Sequence, residues 1–275
     1  MKTPERLFTN PMPEGHTVHR TAKHFSKHFL GKTVELTSPQ GRFTDARLVS
    51  GQKLVTSEAF GKQLYLGFEA ATVRIHLGIY GKWRFRSFEE TPPDPIGQVR
   101  ARFISTDQVA DVVGPTSCEV LDQLEVIAKQ AKLGPDPLRI DPGDHELERF
   151  LTKVASSKVV IGQLLMDQSV IAGVGNVYRA ELLFRAGLNP YTPGQLVSSK
   201  VVAEMWFDAV ALMKIGVRTG IMLTRDDYLK GRPAIVDRYF VYKREGLTCR
   251  NCLNPISIEV LNSRKLYWCS SCQKA

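Results

Sequence analysis

Long apolar runs are missing from this 275-residue chain. No window approaches the roughly 18 consecutive apolar residues of a membrane span, so no membrane association is expected. The first eleven residues, MKTPERLFTNP, also lack the apolar stretch of a signal peptide. Cysteine is almost absent ahead of the tail: Cys118 stands alone, and the other four of the five lie between Cys249 and Cys272. That distribution excludes a disulfide framework and points to metal ligation in a reducing, cytoplasmic compartment. Cys118 itself reads as an inert, partly buried thiol. Internal repeats and low-complexity tracts are lacking too, and 43% apolar against 24% charged composition excludes a disordered chain. Acidic residues are in deficit, 28 against 37 Lys+Arg, for a net charge of +9. From Arg238 to Ala275 there are seven basic and two acidic residues, so 7 − 2 = +5 of that excess sits in the tail. Such a surface suits an anionic partner.

What is present changes period along the chain. Val18, Ala22, Phe25 and Phe29 recur at helical spacing ahead of Gly31, which predicts an amphipathic helix over 17–30. Period-two runs follow at 34–37, 54–60, 63–68, 72–77, 82–88 and 99–105, separated by turn residues, as in a β-sandwich. Helical spacing returns at 118–131, 145–155, 158–167, 176–186 and 196–217. Gly134, Pro135, Pro137, Pro142 and Gly143 interrupt it and place a boundary near 132–143. The expected organisation is α+β and multidomain: a β-sandwich with an initial helix over 12–131, a helical domain over 132–237 and a cysteine-rich module over 238–275.

Cys249-x-x-Cys252, 16 residues and Cys269-x-x-Cys272 have the spacing of a zinc ribbon, in which two tight turns each offer a pair of thiolates. All four ligands are protein, so one structural Zn2+ is expected. Arg250, Arg264 and Lys265 interleave with the ligands on what reads as a β-hairpin, where an arginine can reach a phosphate or simply be solvated. In Ala172-Gly173-Val174-Gly175-Asn176 an apolar segment meets a glycine turn and a new helix that Asn176 can cap, a site for a phosphate oxygen or a purely structural hairpin.

Met12-Pro13-Glu14-Gly15-His16 has the form of a translation start lying inside the sequence. Removal of Met12 exposes a secondary amine whose pKa, roughly 8 for an N-terminal amine, leaves a neutral nucleophilic fraction near pH 7. Glu14 then stands next in line as a general acid/base. Read alone, the same residues are an ordinary turn before a helix. Lys62 projects from a turn between two strand runs, and Ile79 and Tyr80 lie in a glycine-flanked turn where an apolar wedge can replace a flipped base or fold back into the core.

Taken together, MPEGH (12–16), FGK (60–62), HLGIYGKWRF (76–85), LGPDPL (133–138), LLMDQSVIAGVGNVYRAELL (164–183) and the ribbon resemble the formamidopyrimidine-DNA glycosylase/endonuclease VIII family. MPEG, the tyrosine of LGIYG and SRKLYWCSSC make the chain more similar to the endonuclease VIII branch. The resemblance covers Met12 to Gln273 and implies a β-sandwich, a helix–two-turns–helix domain and a zinc ribbon, with damaged double-stranded DNA between the halves of a monomer. It implies a bifunctional glycosylase and AP lyase of base excision repair acting on oxidised bases, pyrimidines before purines, by a Schiff base and β- and δ-elimination. By the same resemblance Pro13 is the nucleophile, Glu14 the acid/base, Lys62 an assisting cation and Arg264 the ribbon arginine on a phosphate. Asn176 and Lys132 contact DNA, and Ile79 with Tyr80 fill the void. Two features depart from the pattern. Residues 1–11 would keep Pro13 a tertiary amide, so translation from Met12 is expected, and Gly162 stands where many relatives carry lysine. A formamidopyrimidine-type enzyme and a non-catalytic zinc-ribbon DNA-binding protein are the competing readings.

Overall fold

The computed structural model describes residues 13–228 and 233–274, with the backbone of Arg6–Leu7. Met12, the expected translation start, lies outside the described residues. The chain divides into two compact units, Met1–Lys132 and Leu133–Ala275.

In the first unit, helix α1 (Gly15–His28) buries Val18, Ala22 and Phe25 on one face and ends on Lys27 and His28, whose positive charge suits a helix C-terminus. The strands are β1 (Arg6–Leu7), β2 (Thr33–Thr37), β3 (Gln52–Phe60), β4 (Gln63–Phe68), β5 (Thr72–His76), β6 (Lys82–Ser87), β7 (Val99–Ile104), β8 (Gln108–Val113) and β9 (Ser117–Leu121). Their hydrogen-bonded order is β1-β6-β8-β7-β2-β3-β4-β5-β9. β2 is the corner strand: Thr33 and Val34 pair with β3, whereas Glu35 to Thr37 pair with β7, so one sheet continues into two layers of a β-sandwich. The core holds the Phe25 ring 5.2 Å from Trp83, 5.7 Å from Phe85 and 5.4 Å from Phe103, all edge-on. Those aromatics fasten α1, and with it Pro13 and Glu14, to the sandwich.

Two strands differ from the sequence expectation. β8 went unread because Asp111, at its centre, breaks the apolar pattern; it is fully buried and held by Arg86 Nη2 at 2.7 Å and Arg102 Nη1 at 3.4 Å. The segment 118–131, expected to be helical throughout, begins as β9 paired with β5. Helix α2 (Gln123–Ala131) starts only at Asp122, where a capping box forms: Glu125 N donates to Asp122 Oδ1 at 2.8 Å and Asp122 N to Glu125 Oε2 at 2.9 Å. Cys118 on β9 is partly buried, and burial pushes its thiol up to about 12, which removes its reactivity at neutral pH.

The second unit contains α3 (His145–Ala155), α4 (Ile161–Leu164), α5 (Asn176–Arg185), α6 (Ser199–Thr219) and the hairpin β10 (Ser257–Leu261) and β11 (Arg264–Trp268). The helix expected over 158–167 shrinks to one turn, because Val160 bridges Pro193 and Gly162 N donates to Pro190 O at 2.9 Å. α5 is buried on almost every side. Its Glu181 carboxylate, wholly inside the unit, accepts from Thr224 Oγ1 at 2.6 Å and from the N–H groups of Phe240, Val241 and Tyr242 at 2.8, 2.9 and 2.8 Å. These bonds fix the segment that leads into the ribbon.

Truncating Phe25 to Ala is expected to cost about 3–5 kcal/mol of unfolding free energy by opening a cavity under α1. Urea denaturation measures this, and a loss below about 1 kcal/mol means the ring is not a core element.

Candidate functional site

Glu14 is the extended N-cap of α1, with φ −119° and ψ 178°, and its carbonyl accepts from Thr17 N at 2.9 Å. Its side chain is only 1% exposed, and Pro13 beside it is half-buried. His16, one turn in, is completely buried, with Nε2 3.2 Å from Thr17 Oγ1. Burial, then the charges of Arg20 and His19, lower its pKa to about 3, so it is neutral at physiological pH and does not act as an imidazolium acid.

Lys62 occupies the two-residue turn between β3 and β4, where Phe60 pairs with Gln63. Gly61 takes φ +57°, the left-handed value that the first central position of a II′ turn requires. Gln63 in turn pairs with His76 of β5, and burial together with Arg74 and Lys62 holds that imidazole below its ordinary pKa. A neutral histidine therefore stands near the Lys62 cation. His76 belongs to the HLGIYGKWRF motif, but only the strand register makes it the neighbour of Lys62.

The 77–81 turn presents Ile79 and Tyr80 to solvent at 41% and 86% exposure, so neither folds into the core. Gly78 permits this at φ +65°, where a Cβ would sit 1.8 Å from Thr116 Oγ1. Lys132 is exposed at the C-cap of α2.

In the second unit the expected Asn176 cap is absent: Gly175 is the N-cap, and Asn176 is the first residue of α5. Its amide instead donates from Nδ2 to Lys265 O at 2.9 Å and accepts on Oδ1 from Arg179 Nη2, which also donates to Lys265 O at 2.9 Å. The tertiary acceptor on the ribbon outcompetes the local capping geometry. One amide hydrogen of Asn176 is spent on this bond and a second remains to donate. Arg179 is fully buried, and no sequence spacing marks it as a brace for the ribbon.

Arg264 follows a tight turn in which Asn262 and Ser263 have φ +48° and +61°, the pair of left-handed residues of a type I′ hairpin. Arg264 and Lys265 are exposed, whereas Arg250 is engaged with Val236 O at 3.0 Å and Asp237 Oδ1 at 3.4 Å. Gly162 has a local cause as well: a Cβ there would lie 2.9 Å from Pro190 O and 3.0 Å from Leu261 Cδ2, so a lysine requires the backbone to shift. LGPDPL splints the turn before α5, with Gly134 N donating to Gln168 O at 2.8 Å and Ala172 N to Pro135 O at 2.7 Å.

The sulfurs of Cys249, Cys252, Cys269 and Cys272 all lie within 4.8 Å of one another, with Cys249–Cys272 at 3.8 Å and Cys252–Cys269 at 3.5 Å. A tetrahedral ion with Zn–S near 2.3 Å sets sulfurs about 3.8 Å apart, so the donor set fits zinc in kind and spacing. No helix among the described residues is long and apolar enough to cross a membrane.

Residues 12–113 match the formamidopyrimidine-DNA glycosylase N-terminal domain and residues 133–227 the H2TH domain of the same glycosylase. The chain belongs to the formamidopyrimidine-DNA glycosylase/endonuclease VIII family of DNA repair glycosylases, whose members also have AP lyase activity. It is 42% identical over 271 residues to Endonuclease 8 1 of Mycobacterium tuberculosis, covering 95% of this chain and all of the relative. A formamidopyrimidine-DNA glycosylase of Geotalea uraniireducens is 30% identical, over 95% of this chain and its own full length. Among solved structures, MutM (Fpg) of Thermus thermophilus superposes with a TM-score of 0.75 at 25% identity, covering 95% of this chain and 98% of that one. The fold is shared also with Lactococcus lactis Fpg bound to abasic-site DNA, at a TM-score of 0.76 and 18% identity over 95% and 100% of the two chains.

The buried His16 has a measurable consequence. Its folded pKa lies below the unfolded value of 6.5, so the unfolded chain binds the extra proton between about 3 and 6.5. Its contribution to stability is complete above pH 6.5 and is lost as pH falls, by about 1.4 kcal/mol per unit. Comparing urea unfolding of the wild type and His16→Asn from pH 7 to 5.5 should show a shallower decline in the variant; parallel declines mean His16 titrates normally.

Proposed function

We propose that the chain is an endonuclease VIII-type DNA glycosylase and AP lyase that excises oxidised pyrimidines from double-stranded DNA with Pro13 as its nucleophile. The observation that carries this reading is the proline–glutamate pair at the start of α1, fixed to the sandwich core, where the family match begins at residue 12. Identity to an Endonuclease 8 over its whole length favours oxidised pyrimidines over the purines of the formamidopyrimidine branch. Translation from Met12, with Met12 then removed, frees the secondary amine.

The neutral Pro13 nitrogen attacks C1′ of a flipped nucleotide, and the C1′–N bond breaks as the base leaves with a proton. Glu14 supplies or relays that proton from its buried position at the amine. The amine then loses its proton as the C1′–O4′ bond opens and O4′ takes up a proton, which leaves an iminium at C1′; that cation acidifies C2′, so loss of a C2′ proton expels the 3′ phosphate, and a second elimination expels the 5′ phosphate. Lys62, next to the neutral His76, carries the charge of that pair and assists the elimination. Ile79 and Tyr80 fill the vacated stack, Asn176, Lys132 and Arg264 hold backbone phosphates, and the four cysteines would hold one structural Zn2+, which would keep the Arg264 hairpin rigid.

Chains beginning at Met1 and at Pro13 can be compared by borohydride trapping on duplexes carrying 5-hydroxycytosine or 8-oxoguanine. A covalent adduct is expected only with the chain beginning at Pro13, more with the pyrimidine lesion, and Glu14→Gln should lower base excision by roughly 10²–10⁴-fold. Equal trapping by protein that demonstrably retains residues 1–12 overturns the mechanism. Chelation or Cys249→Ser should release one equivalent of zinc and weaken duplex binding while leaving the first unit's thermal transition in place; retained binding after metal loss counts against the ribbon's role.

A further inference from the structure

Lys243 is held in a conformation that a lysine seldom adopts. Its φ is +53°, in the left-handed region where an L side chain crowds its own backbone. Bonds on both sides impose it. Glu181 captures the N–H groups of Phe240, Val241 and Tyr242, and Arg244 donates from Nη1 to Phe240 O at 2.5 Å and from Nη2 to Thr248 O at 3.0 Å. With the neighbours pinned, residue 243 alone absorbs the reversal, which glycine would absorb without strain.

The side chain at this point is exposed, and no carboxylate among the described residues pairs with it. Its Nζ lies 5.8 Å from the centre of the Tyr242 ring. That ring meets Tyr267 edge-on at 5.1 Å. On β11 Tyr267 and Lys265 are alternate residues and share one face of the hairpin, across from Ile258 and Val260 on β10. Lys243 and Lys265 therefore flank the same face of the ribbon, with Arg264 at its turn. Glu245 is the acidic group whose charge reaches Tyr267, against the two lysines that flank this face. A lysine that only needed solvent would gain nothing from the strained backbone, whereas a fixed backbone aims the cation at a ligand.

We propose that Lys243 contacts a backbone phosphate of the bound duplex, extending the ribbon's phosphate surface beyond Arg264. The proposal rests on the DNA glycosylase reading above. It is tested with the full chain and a fluorescent duplex carrying a tetrahydrofuran abasic analogue, by measuring Kd across a KCl series. Loss of one phosphate contact makes the slope of log K against log salt shallower by about 0.9. Lys243→Gln should show that loss and Lys243→Arg should retain the wild-type slope. Lys243→Gly should lose the same slope with a Tm equal to or above wild type, which separates lost charge from damaged folding. Wild-type slope and affinity in Lys243→Gln, or in a stable Lys243→Gly, overturn the proposal alone; a wild type without salt-dependent duplex binding removes it together with the parent reading.

Discussion

One short helix organises the second unit. From its first turn α5 sends Asn176 and Arg179 to the carbonyl of Lys265, and from its far side Glu181 captures three successive N–H groups of the segment entering the ribbon. A ribbon of this size has little apolar core, so its position depends on polar bonds and on the metal its cysteines would hold. Because the bonds are buried, losing an acceptor such as Glu181 leaves several N–H groups unsatisfied, at about 1–3 kcal/mol each. The same bonds set the direction of Arg264 and fix the backbone of Lys243. Anchoring and aiming are thus one structural act.

The first unit uses charge differently. Glu14 is buried at a helix start, while His16 and His76 are driven toward neutrality by burial and by nearby cations. Removing positive charge from both imidazoles leaves Lys62 the cation of its pair. On the proposed mechanism that arrangement suits an amine nucleophile, which must be unprotonated when it attacks.

Much of the architecture was legible in the chain because local pattern and tertiary burial agree. Period-two runs became β2 to β7, and Val18, Ala22 and Phe25 became the buried face of α1. Agreement failed where burial was electrostatic rather than apolar: β8 conceals Asp111 between two arginines, and no hydrophobicity pattern announces such a strand. It failed again at 117–121, whose β-pairing is set by β5 rather than by local preference, and at 158–160, drawn into extended pairing with Pro193. Of the candidate site, the cysteine cluster and the exposed Ile79–Tyr80 turn were readable, since ligand spacing and glycine placement are properties of the chain itself.

The sequence by itself determined the family and the donor set of the metal site, because those depend on residue type and short spacing. Only the tertiary structure decided that Asn176 braces the ribbon instead of capping its helix, that His76 stands beside Lys62, and that Gly162 lies against Pro190 and Leu261. Each of those outcomes joins residues far apart in the chain, and the partner that wins a hydrogen bond or excludes a Cβ exists only once the fold has formed.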